Sequence, residues 1–366
     1  MNAGAPELPL AHLVEQVKAA RAAGTKLCIR GGDTKRWYGG EPVGEPLDTT
    51  GLTGISSYEP TELVVTARAG TRLAELEAAL AETGQCLAFE PPRFGGGGTV
   101  GGMVAAGLAG PSRATAGGVR DHVLGLTMLN GKAEVLSFGG QVMKNVAGYD
   151  VSRLMVGSLG VLGVICEVSL KVLPKPPATA TLRFEVDQAQ ALALLNDWGG
   201  HPLPLSASAW WSGMLVLRLA GASAAVASAV QQLGGEAIEP ALAATFWNGL
   251  RDQSDEFFAG AAKAVDAGAT LWRLSVPQTA PVLKLSGEQL VEWGGAQRWL
   301  CTTAPASLIR DAASAAGGHA TMFRSRDKKA GVFAPLSPPL LAIHRNLKAA
   351  FDPDGLFNPG RLVPAL

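Results

Sequence analysis

Charge is scarce in this sequence. Only 17% of its 366 residues are charged, against about 25% in an average soluble domain. Lys+Arg and Asp+Glu number 31 each, so the formal net charge is zero. Without a basic excess the chain has no electrostatic footprint for nucleic acid or for an anionic membrane surface. Histidine is scarce too: there are five, and His201, His319 and His344 do not pair at metal-ligand spacing. The four cysteines, Cys28, Cys86, Cys166 and Cys301, form no CxxC pair, and each sits in an apolar run that reads as a strand. Neither a disulfide framework nor an iron–sulfur cluster is expected. No GxxxxGK[ST] loop occurs, which excludes a Walker phosphate site. Long apolar runs are missing as well. One long uncharged stretch, residues 94–112, holds eight glycines and Pro111 and is too weakly apolar to span a bilayer. The first 24 residues carry Glu7 and Glu15 and no apolar core, so they do not read as a signal peptide, and a cytoplasmic protein is expected.

What the chain has in plenty is glycine, 46 of 366 residues. Glycine costs backbone entropy on folding, so such a content points to backbone packed close against something, most often a ligand. The length predicts two or three domains. With 47% hydrophobic residues and little charge, the surface suggests a large partner interface.

The pattern predicts a helix over 10–23, with Leu10, Leu13, Val14 and Val17 on one face and Gly24 as its stop. A strand over 26–30 runs into Arg30-Gly31-Gly32-Asp33-Thr34. A strand over 63–67 is followed by a helix over 71–83 capped by Thr71, then a short strand over 86–89. Ten glycines crowd residues 95–118. Strands 123–129 and 133–138 flank Asn130-Gly131, a tight-turn dipeptide. A helix near 151–156 leads to a strand over 164–173, and Pro174, Pro176 and Pro177 mark a boundary. Beyond it, strands (182–186, 207–211, 214–219, 271–276, 297–301, 319–323) alternate with helices (188–198, 222–233, 241–258, 305–316), and a helix over 340–351 closes the chain. This alternation reads as an α+β sheet, ferredoxin-like in plan, with helices on one face.

Three glycine segments bear on chemistry. Residues 30–35 can form an anion-binding nest of backbone N–H groups, or an ordinary glycine turn. Gly96, Gly98 and Gly101 satisfy GxGxxG with Asp121 downstream, but Pro91-Pro92 stand where a buried strand should be, and Pro111 cuts the next helix too short for a Rossmann crossover. A glycine-lined loop and a short helix from Thr99, with its N-terminus toward phosphate, is the better reading. Gly157, Gly160 and Gly163 open a strand.

In this order, residues 8–177 resemble the FAD-binding domain of the vanillyl-alcohol-oxidase/p-cresol-methylhydroxylase (PCMH) family, nearest to the smaller flavin subunits of bacterial glycolate oxidase. The likeness is carried by Ile29-Arg30-Gly31-Gly32-Asp33-Thr34-Lys35, Gly98-Thr99-Val100-Gly101-Gly102, Gly118-Val119-Arg120-Asp121, the glycine-bounded run 139–150, Gly157-Ser158 with Gly160 and Gly163, and Phe357-Asn358-Pro359-Gly360. The resemblance implies a PCMH-type FAD-binding domain over 1–177, a cap over 178–339, and a C-terminal segment, 340–366, packing back on the FAD domain. It implies that Arg30, Gly31, Gly32, Asp33, Thr34 and Lys35 hold the FAD pyrophosphate. Pro91, Gly97, Gly98, Thr99, Val100, Gly101 and Gly102 would line the pyrophosphate and ribityl chain. Gly163, Val164 and Ile165 would meet the adenine end, and Asn358 the flavin ring. Some relatives attach flavin to a histidine in the first loop; Asp33-Thr34 stand there here, so FAD is expected to be non-covalent.

The implied function is the FAD-binding subunit of a glycolate dehydrogenase complex. It would oxidise short 2-hydroxy acids with a larger FAD-binding catalytic subunit and pass electrons to an iron–sulfur subunit, touching a membrane only through the complex. The alternative is an electron-relay or scaffold subunit without turnover of its own; a third reading is a stand-alone flavin oxidase of sugar lactones. Caps of related D-2-hydroxyacid dehydrogenases supply metal-binding histidines; this one has only His201 and His319, so no metal is expected. No catalytic residue is assigned. Arg273, Arg324 and Arg326 are candidates for a substrate carboxylate, or surface salt bridges.

Overall fold

The computed structural model describes residues 8–140 and 149–366. The glycine-bounded run singled out above falls largely on 141–148, outside the described residues.

Helix Leu8–Ala23 buries Leu13, Val17 and Ala20 and ends at Gly24, which takes the left-handed conformation (φ 67°). It covers a two-stranded parallel pair, β1 (Leu27–Arg30) and β2 (Glu45–Asp48). A five-stranded antiparallel sheet follows. It comprises β3 (Ile55–Glu59), β4 (Val64–Arg68), β6 (Val123–Leu129), β7 (Val135–Gly139) and β8 (Val164–Lys171), in the order β3-β4-β8-β6-β7. Two-residue strands β5 (Gln85–Cys86) and β9 (Leu173–Pro174) pair beside it. Val65, Ala67, Val168 and Leu170 of the sheet pack on Leu76, Leu80 and Met103 of helices Leu73–Glu82 and Val100–Ala106.

Three local expectations are corrected here. The β6–β7 hairpin turns through a longer loop, because Asn130 Oδ1 accepts from the N–H groups of Lys132 and Glu134, both at 2.9 Å, and Ala133 takes the left-handed conformation at φ 62°. Thr71 does not cap the next helix: its hydroxyl accepts from Gly54 N–H at 2.9 Å, and Arg72 occupies the cap position. The helix expected over 241–258 is two, Pro240–Asp252 and Glu256–Asp266, broken by left-handed Gln253 (φ 55°) and restarted by the Asp255 side chain, which accepts from Phe258 N–H.

The second sheet has eight antiparallel strands. They are β10 (Ala178–Glu185), β11 (Leu205–Trp211), β12 (Met214–Gly221), β13 (Glu236–Ala237), β14 (Thr270–Ser275), β15 (Glu288–Glu292), β16 (Gln297–Thr302) and β17 (His319–Arg324). Their order is β13-β10-β12-β11-β15-β16-β14-β17. Each half of four has the ferredoxin-like order, and the halves join edge to edge where Trp210 of β11 faces Val291 of β15. The sheet is covered on both faces, not one. Leu215, Leu217 and Leu219 of β12 meet helices Gln188–Gly199 and Ser223–Leu233. Val216 of the same strand and Trp299 of β16 point the opposite way, toward Trp247, Phe257 and Phe258. Strands with apolar residues at both parities need cover on both sides.

That second face also receives the first module. Trp37, Tyr38 and Phe94 pack there, with ring centroids of Trp37 and Tyr38 at 5.0 and 5.4 Å from Phe323. Arg218 and Glu90 form a two-pronged pair across the seam, at 2.9 Å on each prong, and Lys328 Nζ donates to Trp37 O at 2.8 Å. Among the described residues no helix is long and apolar enough to cross a membrane.

Candidate functional site

Strand β1 delivers the chain into a cleft. Its walls include Arg30 to Lys35, Thr99, Gly101, Gly102, Gly163, Ile165 and Asn358. Residues scattered over more than 300 positions of sequence thus meet in one place. Pro91, Gly97, Gly98, Val100 and Val164 do not line it; Val100 and Val164 are in the core. Thr49, Ala105, Leu159 and Arg361 line it and were not singled out. Leu159 had a signal, since it lies between Gly157 and Gly160 and is itself left-handed at φ 51°. Arg361 directly follows the Asn358-Pro359-Gly360 turn.

Gly32 is required by close approach: a Cβ there would strike the carbonyl of Gly97, which also accepts from Arg72 Nη1 at 2.6 Å. The two glycine loops are therefore pressed backbone to backbone. Asp33 is left-handed (φ 57°) and pairs with Arg30 at 3.0 Å and Arg36 at 3.5 Å. Among the described residues, the N–H groups of Gly32, Asp33, Thr34 and Lys35 have no protein acceptor. The start of helix Val100–Ala106 is different. Val100, Gly101 and Gly102 donate to Thr71 O (3.0 Å), Ala69 O (2.8 Å) and Thr99 Oγ1 (3.3 Å), so that helix end has its donors taken and the free ones lie in the first loop.

Lys35 lines the cleft with Thr34 Oγ1 at 3.4 Å and the Phe94 ring at 5.7 Å from its Nζ. Burial, with no carboxylate partner among the described residues, pulls its ammonium down to about 8. Asn358 closes the far side: its Oδ1 accepts from Ile29 N–H at 2.7 Å and its Nδ2 donates to Leu159 O at 2.6 Å.

The three candidate arginines separate. Arg326 pairs with Asp266 at 2.8 Å, and both side chains are exposed. Arg273 and Arg324 lie in the seam, Arg324 with its guanidinium 3.9 Å over the Trp37 ring. A polar group not singled out from sequence joins them there. Glu292 is 4% exposed, and burial raises its carboxyl to about 7, aided by the charges of Asp255 and Glu90.

Known proteins resemble this chain over most of its length. The FAD binding domain family matches residues 10–139, and the C-terminal domain family of FAD linked oxidases matches 326–362. The chain is 48% identical to the glycolate oxidase subunit GlcE of Escherichia coli, over 97% of each chain. The chain belongs to the GlcE family of glycolate oxidase subunits. It is an FAD-linked oxidoreductase, and FAD is its cofactor. It is also 37% identical to the glycolate oxidase subunit GlcD of Bacillus subtilis, over 26% of this chain and 20% of that one. A solved alkyldihydroxyacetonephosphate synthase has the same fold (TM-score 0.67, 15% identity, 95% of this chain and 74% of that one).

The cleft fits the cofactor of this family. Free N–H groups in succession, a desolvated unpaired ammonium and a wall without side chains suit a dinucleotide pyrophosphate. Its four cysteines, Cys28, Cys86, Cys166 and Cys301, are free thiols. Among the described residues there is no group of three His, Cys, Asp or Glu able to hold a metal.

Proposed function

We propose that this chain is the FAD-binding subunit of a complex that oxidises glycolate or another short 2-hydroxy acid and passes electrons to an iron–sulfur partner. A larger flavin subunit would be its second partner, and any membrane association would come through the complex. FAD supplies a two-electron acceptor. The chain's part is to hold it non-covalently. The free N–H groups of Gly32 to Lys35 and the Lys35 ammonium take the pyrophosphate; Thr99, Gly101 and Gly102 form the wall beside it; Asn358 fixes the floor. The same reading divides the chain at 177 and 339 into FAD domain, cap and C-terminal segment. The observation that supports it most is the convergence of the first glycine loop, the Gly163 segment and Asn358 on one cleft. Two measurements test it. Acid precipitation should release the flavin; flavin retained by the denatured pellet refutes the non-covalent reading. The absorbance bands of the purified chain should bleach on adding glycolate; bands that persist in the isolated chain leave it a relay or scaffold.

A further inference from the structure

The loop that carries the candidate pyrophosphate nest has a second face, and that face packs on the proposed cap. Residues 33–38 fold into two linked turns: Arg36 N–H donates to Asp33 O at 3.3 Å and Tyr38 N–H to Lys35 O at 3.0 Å. Gly32 to Lys35 line the cleft. Trp37 and Tyr38, next along the loop, pack on the second sheet instead. The Trp37 ring lies under the Arg324 guanidinium at 3.9 Å and beside Phe323 at 5.0 Å. The two faces are tied together, because the Trp37 indole N–H donates back to Thr34 O at 3.1 Å. Two cations hold the segment that follows, in alternation. Lys328, from the loop after β17, donates to the carbonyls of Trp37 at 2.8 Å and Gly39 at 3.0 Å, and pairs with Glu41 at 3.1 Å. Arg361, from the C-terminal segment, donates to those of Arg36 at 3.2 Å, Tyr38 at 2.7 Å and Gly40. Every carbonyl from Arg36 to Gly40 is therefore taken by a side chain from the far end of the sequence.

Successive backbone N–H groups capture an anion only while the loop keeps the curvature that makes them converge. A loop that must adopt that curvature on binding loses affinity by the cost of ordering it, and a loop held there in advance does not. Here the holding comes from outside the loop. Bonds from a charged donor are stronger than neutral ones, so Lys328 and Arg361 fix the segment more firmly than its own two turns do. We propose that the cap sets the affinity of the nest for FAD: Lys328 and Trp37 are positioning residues that keep Gly32 to Lys35 in their anion-binding shape, so that cofactor binding and cap docking are linked. Neither of the two lines the cleft. The linkage is reciprocal: the factor by which the docked cap raises FAD affinity is the factor by which bound FAD favours the docked cap. The inference rests on the proposed place of the pyrophosphate at Gly32 to Lys35; the tie between loop and cap rests on the bonds to Thr34, Trp37 and Gly39.

Removing and returning the flavin tests this. The purified full chain is stripped of FAD and titrated with it, with binding read from the quenching of flavin fluorescence. Hydrogen exchange over residues 319–333 is then compared with and without FAD. K328M should weaken FAD about tenfold, and so should W37F, which keeps a ring under Arg324 and loses only the indole N–H. K328R, a cation with several donors, should recover most of the loss. R326Q, two positions away on the surface, should bind FAD like wild type. FAD should slow exchange over 319–333 in the wild type and do so less in K328M, an effect that a merely structural lysine would not produce. Wild-type affinity in both K328M and W37F overturns the proposal, as does exchange over 319–333 that ignores FAD. If K328M fails to fold, W37F decides alone. G32A separates this linkage from the reading of the cleft. FAD lost in G32A but fully bound by K328M and W37F removes the linkage alone, whereas full FAD binding by G32A removes the reading of the cleft and the linkage with it.

Discussion

The cleft and the seam between the two sheets are built from different materials. The cleft is made of main chain: glycine loops touching each other, free N–H groups, and one asparagine that bonds only to backbone. The seam is made of side chains, with Arg273, Arg324 and the Glu292 carboxyl set among aromatic rings. A main-chain site tolerates almost no change of residue at its close contacts, whereas a side-chain site depends on charge and reach. The two should therefore fail differently.

The strongest blow falls behind the cleft. Lys348 is buried and donates to Asp352 Oδ2 at 2.6 Å, Phe357 O at 2.8 Å and Val161 O at 2.7 Å, holding the segment that carries Asn358. Lys348→Met strands the buried Asp352 carboxylate and should cost about 3–5 kcal/mol in urea unfolding. FAD retention should fall while the pH dependence of stability set by Glu292 in the seam persists in the folded fraction; loss of both would make the two regions one unit.

The second effect is a pH dependence owned by the seam. Glu292 titrates near 4.5 when unfolded and about 7 when folded. Between those values the native state keeps a proton that the unfolded chain releases. The stability it contributes is thus full below the lower value and is lost as pH rises through the upper one, by about 3 kcal/mol. E292Q should flatten that slope when unfolding midpoints are compared at pH about 5 and about 8. An unchanged slope would show that Glu292 is ionised throughout.

Gly32→Ala comes third. It drives a methyl group into the Gly97 carbonyl and should cost about 1–3 kcal/mol, with FAD lost from the purified protein and the pH slope set by Glu292 unchanged. A yellow, fully loaded variant would show that the loops part easily. Smallest is Arg326→Gln, which removes an exposed pair and should change stability by less than about 1 kcal/mol.

The contrast in materials also governs what could be read in advance. Main-chain contact forces glycine, and glycine is visible in a sequence, so the segments holding Gly31, Gly32, Gly101, Gly102 and Gly163 were legible as candidates, and the family resemblance joined them into one site. The seam left no such trace. Arg324 and Arg326 look alike two positions apart, and only the end of β17 separates the stacked one from the surface one. Glu292 sits in β15, a strand of sequence EQLVE with too few apolar residues to stand out. β2 and β3 were missed for the same reason. Thr71 looked like a cap, but its hydroxyl was claimed by Gly54, a tertiary contact that no local pattern encodes.

Asn358 bonds to Ile29 across 329 positions of sequence, and the Lys348–Asp352 clasp holds it there. During synthesis the first glycine loop leaves the ribosome hundreds of residues before its counterpart exists. The cleft can be completed only after the whole second sheet has been made, so cofactor capture becomes a late event that reports on a finished chain, and a prematurely released product would emerge without colour.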